Sequence, residues 1–251
     1  MMANNVLVTG SSRGIGESLG QIFANNNWNV CFTSRSKKDL DKINESFQNK
    51  NNLFHETNFL NIDEISKLAN YLNNNWEKLD ALIINLGGGR GQKYITSNFN
   101  DNLKIFKLNF YTAFLTSQIL TSLLVKSKNP SIVLIGSIAA NTNVDSPINY
   151  AMSKKALETH SVYLSRSLAK FKIRVNSVNL GHVLTENGYW QNKKLKEPES
   201  FKNLLTNNTL TGQIFMPEEV SSFIFYLINS VHTTNLTGNI FTLDCGVSKI
   251  K

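Results

Sequence analysis

Residues 9–16, Thr-Gly-Ser-Ser-Arg-Gly-Ile-Gly, join an apolar run at residues 5–9 to an amphipathic segment at residues 14–26. Glycines in such a turn let the backbone bend sharply and approach a ligand closely, because no side chain fills the space. The helix that follows presents free N–H groups and the positive end of its dipole. A strand, a glycine-rich turn and a helix in this order form the context of a dinucleotide fingerprint. We therefore predict a phosphate-binding turn whose contacts are Gly10, Ser12, Arg13, Gly14, Ile15 and Gly16.

Short apolar runs alternate with longer amphipathic segments along the whole chain. This pattern predicts strands at residues 5–9, 29–34, 53–55, 81–85, 132–135, 173–178 and 239–243. It predicts helices at residues 14–26, 37–50, 62–76, 98–126, 150–169 and 217–230. Strands that alternate with helices indicate a parallel sheet, and nearly continuous apolar strands indicate that both faces are covered. The predicted fold class is α/β, doubly wound, with a seven-stranded parallel sheet and helices on both faces.

The chain has 251 residues and no linker, so we expect one domain over residues 1–251. Its one long region without a clear pattern, residues 182–216, is rich in Lys, Asn and Thr. Irregular segments of this length are uncommon unless they are functional, which predicts a substrate-covering lid. A decorated surface loop is the alternative.

The bulk composition limits the partners and the compartment. The net charge of +8 comes from 26 basic and 18 acidic side chains without a basic block of five, which favours scattered solvated lysines over nucleic-acid binding. Cys31 and Cys245 lie far apart and lack metal-ligand spacing, so we expect no disulfide, no metal and a reducing compartment. The absence of a long apolar run and of a secretory signal predicts a cytoplasmic protein without a membrane partner.

The end of the second predicted strand indicates which dinucleotide binds. An NAD site usually has an acidic residue there for the ribose 2′-hydroxyl, whereas residues 32–36 read Phe-Thr-Ser-Arg-Ser. Arg35 and the glycine-turn Arg13 can both reach a 2′-phosphate, which is a bidentate target for guanidinium groups. We therefore predict NADP(H) as the cofactor rather than NAD(H).

Tyr150 and Lys154 are four residues apart and share one face of a predicted helix. A phenol titrates near ~10 in isolation, and an adjacent ammonium favours the phenolate. Such a pair can donate a proton to a carbonyl that is being reduced. Ser137 lies upstream, beyond the fifth predicted strand, and is a further candidate for this site.

In order and spacing, these motifs resemble the short-chain dehydrogenase/reductase family. Thr9–Gly16 matches the family's TGxxxGIG loop, and Asn85–Gly88 is similar to its NNAG turn. Tyr150–Lys154 matches YxxxK, Asn179–Gly181 is similar to NPG with leucine in place of proline, and Leu243–Gly246 is similar to VDGG. The resemblance implies a Rossmann-type sheet and an NADP(H)-dependent oxidoreductase acting on CH–OH or C=O groups, similar to 3-oxoacyl-carrier-protein reductases.

The resemblance also implies a catalytic tetrad. Tyr150 would give a proton to the substrate oxygen, and Ser137 would hydrogen-bond that oxygen. Lys154 would lower the pKa of the tyrosine and bind the nicotinamide ribose. Asn109 would anchor a water that passes protons to Lys154.

Further cofactor contacts follow from the same resemblance. Asn58 stands where family members commonly place an aspartate against the adenine. Leu180, in place of proline, predicts a looser loop. His182 is interpreted as a packing residue, and Arg90 as a solvated side chain or a contact for an anionic substrate. The other predicted contacts, besides Tyr150 and Lys154, are Asn85, Gly87, Gly181, Val183 and Thr185.

The leading hypothesis is an NADPH-dependent ketoreductase with a small-molecule carbonyl or alcohol substrate. A 3-oxoacyl thioester on an acyl carrier protein is one candidate substrate, with Lys126, Lys128 and Lys172 as carrier contacts. A sugar or nucleotide-sugar in polysaccharide biosynthesis is another. A non-catalytic NADP(H)-binding regulator is the alternative from a different class. The resemblance implies a homotetramer or homodimer built on the long helices after the fourth and fifth strands and on the C-terminal strand.

Overall fold

A computed structural model of the protein describes residues 3–47, 51–88 and 98–249. Its seven strands form one sheet in the order β3-β2-β1-β4-β5-β6-β7, and every neighbouring pair is parallel. The predicted doubly wound α/β class is confirmed. The strands are β1 Asn5–Val8, β2 Asn29–Ser34, β3 Leu53–Glu56, β4 Ala81–Ile84, β5 Ser131–Ser137, β6 Arg174–Leu180 and β7 Ile240–Leu243.

Nine α-helices lie in the described part of the chain. Several begin where a polar side chain accepts a hydrogen bond from the first turn, as Ser36, Asn61 and Asn98 do at α2, α3 and α4. A π-helical turn, Lys107–Tyr111, joins α4 to α5. The helices are α1 Gly14–Asn25, α2 Lys37–Ser46, α3 Ile62–Trp76, α4 Phe99–Phe106, α5 Thr112–Leu124, α6 Ile148–Leu168, α7 Tyr189–Lys196, α8 Pro198–Asn208 and α9 Pro217–Asn229.

The hydrophobic core lies in two layers, one on each face of the sheet. Successive side chains of a strand point to opposite faces, so Val6 and Val8 pack into one layer and Leu7 into the other. The first layer includes Phe23 of α1 and Ile224 of α9. The second includes residues of α3, α5 and α6. Burial on both faces explains why the strands read as apolar runs.

The order of the strands positions the functional site. The chain runs outward from β1 to β3, then returns to place β4 on the other side of β1. Loops that leave β1 and β4 therefore diverge, which opens a crevice beyond the carboxyl ends of these strands. The glycine-rich turn follows β1 and lies at this crevice.

The region at residues 182–216 differs from its prediction. It is largely helical, with α7 and α8, rather than irregular. Phe201 is the only residue of these two helices that is fully buried, so the sequence carries little apolar periodicity there. Pro198 at the start of α8 separates the two helices.

Two smaller expectations are also corrected. Leu180 does not lie in a loose loop, because it is buried at the end of β6 and is in register with Leu243 of β7. The long helix expected at residues 98–126 is interrupted by the π-helical turn. Among the described residues, no helix has the length and apolar character needed to cross a membrane.

Candidate active site

One cavity of about 950 Å³ opens at the carboxyl edge of the sheet. It brings together nearly all of the predicted site residues, which come from the loops after β1, β2, β3, β4, β5 and β6 and from α6. Those that line it are Gly10, Ser12, Arg13, Gly14, Ile15, Gly16, Arg35, Asn58, Asn85, Gly87, Ser137, Tyr150, Lys154, Gly181, Val183 and Thr185. Asn109 does not line the cavity but lies directly behind it, fully buried.

The glycine-rich turn is held tightly against the end of β4. A Cβ atom on Gly16 would lie 2.2 Å from the carbonyl oxygen of Gly10, so only glycine fits there. The Asn85 side chain donates to the carbonyl oxygens of Thr9 and Gly10 over 3.2 and 3.1 Å. No side chain of the described residues caps α1, so the N–H groups of its first turn are available to a ligand in the cavity.

Two arginines border this end of the cavity. Arg13 and Arg35 are both exposed, and neither has an ion pair with a described residue. Asp39 also lines the cavity, from the first turn of α2. Sequence reasoning missed Asp39 because it looked for an acid at the strand end and not one turn into the next helix.

Tyr150 and Ser137 form the polar centre of the cavity. Ser137 is the last residue of β5, and its Oγ accepts a hydrogen bond from the Ala139 backbone N–H over 3.2 Å. Burial raises the pKa of the Tyr150 phenol, and a hydrogen bond with Ser137 opposes that rise.

The prediction that Lys154 lowers the pKa of Tyr150 stays a prediction, because the net rise in that pKa has burial as its largest cause. The lysine Nζ lies 6.0 Å from the centre of the tyrosine ring and donates instead to the carbonyl oxygen of Ile135 over 2.9 Å. Lys154 is itself only 3% exposed, and burial lowers its pKa to about 8. It therefore remains mostly charged at neutral pH.

Asn109 lies in the π-helical turn, a rare geometry that is frequent at functional sites. Its Nδ2 donates to the carbonyl oxygens of Gly88 and Ile105, each over 2.9 Å, and its Oδ1 accepts from the Gly88 N–H over 2.9 Å. A Cβ on Gly87 would lie 2.8 Å from the Lys154 Nζ. The amide of Asn109 thus fixes the loop that packs on Lys154, and its role as a water anchor stays a prediction.

The remaining predicted contacts occupy the cavity walls. The Oδ1 of Asn58 accepts from the Leu60 N–H over 3.2 Å, which fixes the loop after β3. A Cβ on Gly14 would lie 3.3 Å from the methyl group of Thr185, so the turn after β6 closes over the glycine-rich turn. Gly181 donates its N–H to the Leu243 carbonyl oxygen over 2.8 Å. Arg90 lies outside the described residues.

His182 agrees with its interpretation as a packing residue. Its ring centre lies 4.0 Å from that of Trp190, and burial lowers its pKa to about 4, so it is neutral at pH 7. Trp190 lines the cavity from α7 and was missed, because the segment was not recognised as a helix. Other lining residues without a sequence signal include Thr112, Glu186 and Asn187.

The proposed carrier contacts lie elsewhere. Lys126 and Lys128 precede β5, and Lys172 precedes β6, so all three lie at the amino edge of the sheet. The cavity is at the carboxyl edge. The prediction that these lysines meet a carrier at this chain's own site is therefore wrong, because parallel strands put the two ends of each strand at opposite edges.

Comparison with known proteins identifies the family. The family model described as enoyl-(acyl carrier protein) reductase matches residues 10–248. The chain belongs to the short-chain dehydrogenase/reductase family. A 3-oxoacyl-[acyl-carrier-protein] reductase FabG of Buchnera aphidicola is 27% identical over 96% of each chain. A tropinone reductase homolog of Arabidopsis thaliana is 28% identical over 98% of this chain and 92% of its own.

The fold of this short-chain dehydrogenase/reductase is also found in solved structures. L-sorbose reductase from Gluconobacter frateurii, complexed with NADPH and L-sorbose, superimposes with a TM-score of 0.91. The two chains are 21% identical, and the match covers 100% of this chain and 98% of that one. At this identity the likeness concerns the fold.

Proposed function

We propose that this protein is an NADP(H)-dependent ketoreductase that transfers a hydride between the cofactor and a carbonyl or alcohol substrate. The observation that carries the proposal is the shared cavity: the hydrogen-bonded Tyr150 and Ser137 open onto the same space as the uncapped N-terminus of α1. Family membership supports it, as do the reductase names of the relatives. The NADPH in the L-sorbose reductase structure supports the choice of cofactor.

The residues present fit NADP(H). The glycine-rich turn and the free N–H groups of α1 suit a diphosphate, and the cradle left by Gly16 has no room for a side chain. Arg13 and Arg35 would bind the 2′-phosphate, because neither guanidinium has an ion pair with a described residue. Contacts along the rest of the cofactor are proposed for Asn58, Asn85, Gly87, Tyr150, Lys154, Gly181, Val183 and Thr185. Bound NADPH supplies the hydride for the reduction.

Side chains of the protein donate the proton and stabilise the negative charge that develops on the substrate oxygen. Tyr150 donates its phenolic proton to the substrate oxygen, and its raised pKa keeps it protonated at neutral pH. Ser137 donates a hydrogen bond to the same oxygen. Lys154, mostly charged, adds a positive potential beside the reacting oxygen. Asn109 holds the Gly88 backbone and with it the wall that packs against Lys154.

Two substrate classes are proposed for the same chemistry. The FabG relatives support a 3-oxoacyl thioester on an acyl carrier protein. The sugar or nucleotide-sugar alternative is favoured by a rhamnose dehydrogenase relative. The helical segment at residues 182–216 carries Trp190 into the cavity, and we propose that it is the lid that selects the substrate.

A substrate panel tests the proposal. Purified protein is mixed with NADPH and, in turn, a 3-oxoacyl thioester mimic, small ketones and keto-sugars, and the loss of NADPH absorbance is followed. We expect turnover with at least one class. Turnover of sugars or ketones without turnover of the thioester would remove the carrier hypothesis, and no turnover of any carbonyl would contradict the ketoreductase.

Tyr150→Phe separates an enzyme from a non-catalytic NADP(H)-binding regulator. Loss of the general acid should reduce kcat by roughly 10²–10⁴-fold. The dissociation constant for NADPH, measured by its fluorescence, should remain close to that of the wild type. A wild-type protein that binds NADPH and turns over no substrate would favour the regulator instead.

Self-association and location complete the proposal. A mainly apolar groove lies on the α4–α5–α6 region, lined by Phe106, Phe110, Phe114, Met152, Lys155, Ala156, Thr159, His160 and Tyr163. Tyr163 is 67% exposed and Met152 is 54% exposed, so this face suits a second copy of the chain. We propose that the homotetramer or homodimer uses this face as its subunit interface.

Both cysteines are free thiols. A cytoplasmic location stays a prediction.

A further inference from the structure

A buried carboxylate behind the catalytic group has no part in the chemistry proposed above. Glu158 lies on α6, one helical turn beyond Lys154, and is 4% exposed. Its Oε2 accepts hydrogen bonds from the Asn141 and Asn179 side-chain amides over 2.5 and 2.6 Å. Its Oε1 accepts from the Lys155 Nζ over 2.6 Å.

The two amides come from the other elements that build the site. Asn141 directly follows the short 3₁₀ turn Ile138–Ala140, which begins at Ser137. Asn179 is the penultimate residue of β6 and is in register with Gly136 of β5. A Cβ on Gly136 would lie 1.9 Å from the Asn179 Oδ1, so a glycine at this position leaves room for the Asn179 amide. Glu158 therefore connects α6, β6 and the turn after Ser137 at a single carboxylate.

A buried carboxylate is costly unless hydrogen bonds compensate for lost hydration. Here Lys155, Asn179 and Asn141 supply those bonds, and together they lower the pKa of Glu158 against the opposing effect of burial. The group is thus ionised at neutral pH. An ionised acceptor makes stronger and shorter bonds than a neutral one, which makes it an effective clamp.

We infer that Glu158 is a positioning residue that holds Ser137 and its following turn against Tyr150, and thereby sets the rate of the chemical step. The inference rests on the proposed ketoreductase function. Ser137 and Tyr150 belong to different elements, and their hydrogen bond requires that β5 and α6 keep a fixed separation. Displacements near 1 Å in such a site can reduce rates by roughly 10²-fold.

Glu158→Ala and Glu158→Gln test the inference with a substrate that the wild type turns over. Glu158→Ala should lower kcat by roughly 10- to 100-fold, with an unchanged dissociation constant for NADPH. The amide oxygen of Glu158→Gln still accepts from both asparagines, whereas its NH2 group cannot accept from Lys155, so its kcat should lie between that of the wild type and that of Glu158→Ala. Wild-type kcat in a folded Glu158→Ala variant would overturn the inference, and so would a Glu158→Gln variant as impaired as Glu158→Ala.

Asn141→Ala decides the matter if Glu158→Ala does not fold. Asn141 is exposed, and its replacement removes the bond between Glu158 and the turn after Ser137, together with the bond that the Asn141 Oδ1 accepts from the Lys155 Nζ. We expect a kcat several times lower than that of the wild type with an unchanged Tm. The matched control is Asn75→Ala, which removes an exposed asparagine bond to the Tyr71 carbonyl oxygen at the far end of α3 and should keep full activity. Equal kcat for both variants would overturn the inference.

Hydrogen exchange separates this inference from the proposed function, because it requires no turnover. The Ala139 N–H, which is bonded to the Ser137 Oγ, should exchange faster in Asn141→Ala than in the wild type, with unchanged exchange in β1. Unchanged exchange at Ala139 would refute the positioning role. A wild type that turns over no carbonyl, with faster exchange in the variant, would refute only the ketoreductase.

Discussion

Lys154 places an ammonium group where almost no water reaches it. Burial lowers its pKa from 10.5 to about 8, so the charged form is held at a cost to folding. The same burial brings the charge beside the site of reaction. At the scale of the single residue, the protein thus gives up stability for a charge that the proposed chemistry uses.

Lys154→Met should raise the free energy of unfolding at pH 7 by roughly 1–3 kcal/mol while turnover is lost. The lysine binds a proton more tightly in the unfolded chain than in the folded one. Its cost is therefore complete below pH 8 and disappears as the pH rises towards 10.5. Urea unfolding of both proteins across this range should show their difference shrinking. A difference that grows with pH would contradict the account.

Arg35→Ala should weaken NADPH binding by roughly 10- to 100-fold, because a guanidinium–phosphate hydrogen bond is charge-assisted. The dissociation constant for NADH, which lacks the 2′-phosphate, should change little. Fluorescence titration with each cofactor makes the measurement. Lys38→Ala is the control, since this lysine is exposed in the first turn of α2, close to Arg35 in the chain, and does not line the cavity. Equal weakening for both cofactors would disprove a 2′-phosphate contact.

At the scale of elements, the carboxyl end of α9 depends on a buried arginine. Arg174 begins β6 and is 5% exposed. Its guanidinium donates to the carbonyl oxygens of Leu227 and Ile228, each over 3.1 Å, and to that of Thr233 over 3.4 Å. These are carbonyl groups that a helix leaves without intrahelical partners, and a positive charge there also complements the helix dipole.

Arg174→Met should lower the free energy of unfolding by about 2–4 kcal/mol, because it removes the arginine donor of the Ile228 carbonyl and one of the two donors of each of the Leu227 and Thr233 carbonyls. Arg166→Met is the control, because Arg166 is exposed on α6, and it should change stability by less than about 0.5 kcal/mol. Chemical denaturation of the three proteins provides the comparison. Similar stabilities of Arg174→Met and the wild type would show that the arginine does not support α9.

At the scale of the whole molecule, the candidate active site and the proposed subunit interface occupy different parts of the surface. The carboxyl edge of the sheet carries the cavity, and the α4–α5–α6 region carries the mainly apolar groove. The helices that carry Asn109, Tyr150 and Lys154 therefore also contribute to the proposed subunit interface. Assembly would stabilise the segments that hold the catalytic group.

Phe114→Asp should reduce the molar mass of the assembly in solution, because a carboxylate in an apolar interface loses hydration without a partner. Phe114 is 40% exposed at the groove. Light scattering at micromolar concentration measures the mass, and Ile62→Asp, at an exposed residue outside the groove, should leave it unchanged. A monomeric wild type would refute the self-association proposal.

The sequence alone determined the fold class and the seven strands, because the spacing of apolar residues and the position of the glycine-rich turn are local properties of the chain. It also identified many of the residues that line the cavity, since their motifs have fixed places at strand ends, but it missed others such as Asp39 and Trp190. The helices of residues 182–216 escaped prediction because so little of them is buried. Tertiary structure alone decided the raised pKa of Tyr150 and the bond from Lys154 to Ile135. It also decided the three-element junction at Glu158. These depend on burial and on distances between residues far apart in the chain, which spacing along the sequence does not encode.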